Sequence, residues 1–218
     1  MSKKALPKLE HRSFNFDVRA EENEQGHILT GRPIVYNSRT NMYWYDEIIE
    51  SGALDNADLT DVRFLVNHDV KRIPLARSRR NNGNSTMKMS VDMYGLNLDF
   101  VNLDTENNSE ARALYSAVER GDISGMSFMF SVDGDRWEDL DSDHPTRYIT
   151  KISSVVEVSA VTFPAYDATE IYARSTEELE STRLILDRAR AQRGAAVDTA
   201  ELELLKEKTK IILGGIKK

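Results

Sequence analysis

The chain has 218 residues, enough for one domain with a proper core plus an extension. Its 36 acidic residues outnumber the 29 basic ones for a net charge of −7, which argues against a general nucleic-acid binder, because that role needs excess Lys and Arg to displace phosphate counterions. Cysteine is absent, excluding disulfides, thiolate metal sites and cysteine nucleophiles, and no apolar run approaches the ~20 residues that cross a bilayer.

The N-terminus, Met1 to Lys8, is basic but lacks the apolar stretch of a signal peptide, so the expected workplace is the cytoplasm. Residues 13–37 read as a β-hairpin: Phe14, Phe16 and Val18 lie before a turn-rich Glu21–Gly26 and Ile28 through Tyr36 after it. Pro33 fits best at an edge or a bulge. Residues 43–54 read as a short mixed segment with a helical turn stopped at Gly52. Val62, Phe64 and Val66 form a strand that ends at His68, which alternation puts on their face. Met87, Met89 and Val91, then Leu96, Leu98 and Phe100, flank Met93-Tyr94-Gly95 as a second hairpin.

From residue 109 to 120 the period changes. Ala111, Leu114, Tyr115 and Val118 fall at helical spacing and Gly121 is the stop. Gly125 to Val132 alternates again, an acidic loop runs from Asp133 to Asp143, and the longest β-rich stretch runs from Arg147 to Phe163 before Pro164. Beyond Ser175 the composition turns to Glu, Leu, Arg, Lys and Ala, and Gln192-Arg193-Gly194 divides this tail into two helical pieces. The organisation expected is a flexible N-terminus (1–12), a β-rich α+β body (13–174) and a helical extension (175–218).

Three residues carry candidate chemistry. On the Gly125–Val132 strand, Met126, Phe128 and Phe130 share the apolar face, so Ser127 points to the other. Glu157 is a carboxylate in an otherwise uncharged, strongly β-forming run, where an ionised group needs a hydrogen-bonding partner. His68 is an imidazole at a strand end. A serine hydroxyl needs an adjacent imidazole to accept its proton, and the imidazole gains from a third group that fixes its tautomer. Alternation alone does not bring the three together, and each of these residue types, read singly, is more often structural than catalytic. His144, in the turn Asp141-Ser-Asp-His-Pro145, is a rival third member. Asp69 follows His68 directly and is expected to point away from it. The four histidines show no HxH or HExxH spacing, so neither a metal nor another cofactor is expected.

Taken in order, Gly31–Asn37, Asp46–Leu54, Asn67-His68-Asp69, Gly95-Leu96, Gly125-Met126-Ser127-Phe128 and Glu157–Tyr166 resemble the prohead (capsid maturation) protease family of tailed phages. The resemblance covers about Gly31 to Arg174. It implies a serine endopeptidase with Ser127 as nucleophile and His68 as base. It also implies a fold similar to that of the herpesvirus maturation protease: a seven-stranded, barrel-like, mostly antiparallel β core with surrounding helices. Those relatives use a second histidine as third member, where this chain offers Glu157. Leu75-Ala76-Arg77-Ser78 departs from a more usual Gly-Arg pair, and Met129 stands where a glycine commonly follows Ser-Phe. The implied substrates are the scaffolding segment of the major capsid protein and the chain itself, cut inside an assembling prohead. Herpesvirus relatives dimerise, which leaves a homodimer open. The competing reading is a catalytically inactive β-rich capsid-assembly module.

Overall fold

The computed structural model describes residues 9–14, 18–24, 26–79, 84–162 and 176–215. Phe16, Pro164, the Phe163–Tyr166 part of the closing motif and the expected boundary near residue 174 lie outside them. The strands are β1 (Leu9–Phe14), β2 (Arg19–Asn23), β3 (Gly26–Val35), β4 (Arg39–Asn41), β5 (Asp46–Ile49), β6 (Arg63–Val66), β7 (Ala76–Arg77), β8 (Met87–Asp92), β9 (Gly95–Asn102), β10 (Gly125–Glu138) and β11 (Thr146–Val161). The helices are α1 (Ser109–Glu119) and α2 (Thr176–Gly215).

Two sheets form among the described residues, and neither closes. The smaller runs β2-β3-β9-β8; the larger runs β1-β10-β11-β5-β4, with β6 and β7 branching from β11. The expected barrel is therefore corrected to a mixed α+β fold of two open sheets. The physical reason lies in β11, which pairs in parallel with β5 through Thr146–Ile149 and with β6 through Glu157–Ala160. Between these ladders the turn region serves it instead: Ile152 N–H donates to Ala53 O at 2.8 Å and Val155 N–H to Asp58 O at 3.1 Å. The sheet forks rather than continuing round, and its outer strands β1 and β4 each pair on one side only.

The apolar face of β10 (Met126, Phe128, Phe130) packs with Phe64, Val155, Val158 and Ala160 against Leu29, Ile34, Leu96 and Leu98 of the smaller sheet. Helix α1 adds Ala111, Leu114 and Val118 to the same core. Its start is capped by Asn108, whose Oδ1 accepts from the backbone of Glu110 and Ala111. Pro33 falls where the β3–β9 register shifts, the bulge that a residue without an N–H requires. Gly95, at φ +137°, is obligatory, because a Cβ there would sit 2.0 Å from Ile34 O.

Several local expectations change. Within the mixed segment 43–54, Asp46–Ile49 form a strand, because their ladder with β11 outweighs local preference, and the turn runs through residues 51–56 rather than stopping at Gly52. Strand β10 runs on to Glu138 through the supposed acidic loop, where Arg147 and Lys151 of β11 pair with Asp135 and Asp133. The tail is one continuous helix. Gly194 has open space around it and costs the helix only about 1 kcal/mol relative to Ala. The helix docks on the body through Ile185 and Leu186 against Met42, Tyr45 and Leu140. Arg190 donates to Leu140 O and Ser142 O at 3.0 and 2.7 Å. Strand β1 begins at Leu9, inside the segment expected to be flexible.

A charged cluster is buried where β1 meets the body. Glu10, Arg12, Glu47 and Arg147 are each 6% exposed or less. Arg12 reaches across β10 and β11 to grip both carboxylate oxygens of Glu47, and Arg147 bonds Glu10 at 2.7 Å and Glu47 at 3.0 Å. Burial alone would raise the Glu10 carboxyl, but the guanidiniums of Arg12 and Arg147 outweigh it and hold it at about 2. Removing one member leaves its partners charged and buried. Arg147→Met is therefore expected to cost about 3–5 kcal/mol by denaturant unfolding. The lowered Glu10 value contributes stability that is complete above its ordinary 4.5 and lost as pH falls towards 2. Unfolding free energies across that window should fall more steeply for the wild type than for Glu10→Gln.

Candidate active site

Ser127 is the third residue of β10 and pairs with Ser159 of β11; the next register pair on the same face joins Met129 and Glu157. Ser127, Ser159 and Glu157 thus share the face opposite the apolar core. Alternation along β6 would put His68 on the other side, with Phe64. That expectation is corrected by two residues in left-handed backbone, Asn67 at φ 50° and His68 at φ 56°, which turn the chain and swing the imidazole over to Ser127. Asn67 suits this turn because asparagine tolerates the left-handed region better than most residues. Its side chain also ties the turn to the end of β11: Oδ1 accepts from Thr162 N at 3.0 Å and Nδ2 donates to Thr162 Oγ1 at 3.0 Å.

The result is a continuous chain of hydrogen-bonding groups. His68 Nδ1 contacts Glu157 Oε1, and His68 Nε2 contacts Ser127 Oγ. Glu157 is 1% exposed, and its second oxygen accepts from Ser159 Oγ at 2.6 Å. Ser159 Oγ in turn accepts from His68 N at 3.1 Å, so one hydroxyl supports both the carboxylate and the imidazole's backbone. With Nδ1–H donating to the carboxylate, Nε2 is left to accept the serine proton. Ser127 itself is fully buried, and Oγ–H also donates to Arg12 O of β1 at 2.7 Å.

The rival groups lie elsewhere. His144 Nε2 pairs with Asp46 at 3.0 Å, and Asp69 Oδ1 accepts from Lys71 N at 3.1 Å. His11 of β1 sets its ring edge-on to His68 at 4.9 Å. His11, His68 and Glu157 hold three potential ligand atoms within 4.8 Å of one another, but a metal there would compete with both contacts of the His68 ring. Beside Asn67 a groove of about 450 Å³ opens between β6 and α1, lined by Leu65, Leu75, Leu114 and Ile123 and bridged by an Arg72–Glu110 ion pair at 2.5 Å.

A family model described as Caudovirus prohead serine protease matches residues 14–183. The chain belongs to that family. No curated protein and no solved structure matches it. Membership makes the chain a serine-type peptide hydrolase of prohead maturation, and the matched span takes in β6, β10, β11 and all three clustered residues. It begins at Phe14, the last residue of β1.

Ser159 does not stand out in the sequence, although its i+2 spacing from Glu157 on a strand marks it as a same-face neighbour. If the Asn67 turn aims His68, Asn67→Val should strain the backbone by about 1–3 kcal/mol. It should lower both the melting temperature and the labelling rate of Ser127 by a fluorophosphonate. Asn67→Gly, which accepts the same φ, should lose less of each.

Proposed function

We propose that this chain is a serine endopeptidase in which Ser127 is the nucleophile, His68 the general base and Glu157 the group that orients and stabilises the imidazolium. One observation carries the reading: a buried carboxylate, an imidazole and a hydroxyl in unbroken contact, with the carboxylate on Nδ1 and the hydroxyl on Nε2. His68 Nε2 takes the Oγ proton as Oγ bonds to the substrate's carbonyl carbon, giving a tetrahedral oxyanion. His68 then returns that proton to the leaving amine as the C–N bond breaks. Water, deprotonated by the same nitrogen, releases the acyl group and restores the serine. Ser159 acts through Glu157 and is a positioning residue.

Family membership supports a role in prohead maturation, and the substrates that fit such a role are the scaffolding segment of the major capsid protein and the chain itself. Leu65, Leu75, Leu114 and Ile123 beside Asn67 suit an apolar side chain of such a substrate. The second reading is an inactive assembly module, which the complete burial of Ser127 favours.

Intact mass over time, with the capsid protein co-expressed, separates the two. The wild type should shed defined fragments from itself or its partner, and Ser127→Ala should leave both whole. Identical patterns from both chains would remove Ser127 from the mechanism. Glu157→Gln, which keeps the shape but presents an amide to Nδ1, should lower kcat on the order of 10⁴-fold.

A further inference from the structure

We propose that strand β1 is a built-in plug, occupying the edge of β10 along which a substrate strand would lie and leaving before a peptide can be cut. The proposal rests on Ser127 being the nucleophile. Strand β1 pairs antiparallel with β10 from Leu9↔Ser131 to Phe14↔Met126, directly across the serine. Without it the Met126–Ser131 edge would offer unpaired N–H and C=O groups, the surface to which an extended peptide adds as a further strand. With it, Ser127 is fully buried. The hydroxyl has a single proton, and both His68 Nε2 and Arg12 O stand ready to accept it, so β1 draws the proton away from the base. Arg12 also presents its carbonyl oxygen to Oγ, where attack needs the carbon.

The plug is held firmly and is separable. Glu10 and Arg12 anchor it in the buried cluster, yet they bring one negative and one positive charge. When they leave, Glu47 and Arg147 keep their own contact at 3.0 Å, and Arg147 keeps Asp135 at 2.7 Å, so no charge is stranded in the body. His11 leaves with the strand and uncovers the ring of His68. The closed form then lowers the apparent affinity for substrate by the fraction of chains that are open, a penalty that a high local substrate concentration overcomes.

The test measures labelling of Ser127 by a fluorophosphonate in two full-length variants. Leu9→Cys/Ser131→Cys joins register partners in a chain with no other cysteine, and disulfide closure is read by intact mass. Oxidised, it should label at least tenfold slower than after reduction. Glu10→Gln/Arg12→Gln weakens the anchor without leaving a charge; confirmed folded by its melting curve, it should label at least tenfold faster than wild type. Equal rates for wild type, oxidised, reduced and double-glutamine chains would overturn the plug while leaving the nucleophile in place. No labelling of Ser127 in any form would overturn the nucleophile assignment and the plug with it.

Discussion

A carboxylate buried at position 157 sets the terms for everything around it. A carboxyl group with 1% exposure must find partners inside the protein, and among the described residues two side chains meet that demand: the His68 imidazole and the Ser159 hydroxyl. Satisfying it requires β6 to run parallel to β11, the chain to turn left-handed at Asn67 and His68, and Ser159 to stand two residues along the same face. Once these are in place, Nε2 has one direction left, and β10 puts Ser127 there. The geometry of the proposed catalytic group and the solution to a burial problem are the same set of bonds.

The second buried cluster obeys the same rule at a larger scale. Two carboxylates and two guanidiniums neutralise each other across four strands, β1, β10, β11 and β5. Such a network contributes less to net stability than its contacts suggest, because desolvation offsets most of the attraction. Its stronger consequence is register: slipping β1 by one residue would turn Glu10 and Arg12 to the opposite face and leave Glu47 and Arg147 to each other.

How much of this was legible depends on whether the signal was local. The hairpin of β8 and β9, helix α1, and the alternation that turns Ser127 from the core follow from period and turn chemistry. Glu157 was legible as a charge in need of a partner. Three things were not. The aim of His68 depends on two left-handed residues, and a strand pattern ending at Val66 carries no trace of a reversal of face. The forked sheet depends on β11 taking two parallel partners, neither close to it in sequence. Beyond the Glu10–Arg12 pair, the buried cluster joins residues separated by 35 to 137 positions, and nothing near Arg12 or Glu47 signals that their charges lie inside.

The main path of the larger sheet, from β1 to β4, has two ends, and they are treated differently. At one, β4 is three residues long, and Arg39, turned outward, is tied to Asp46 at 2.6 Å, a blunt edge that offers little to a neighbouring chain. At the other, the edge is the whole of β1, and beneath it lies a longer strand with the full complement of backbone groups. On the proposed release of β1, the exposed β10 ladder would accept any extended peptide, including that of a second copy. An enzyme of this build is best kept apart from its own kind until its proper partner is near.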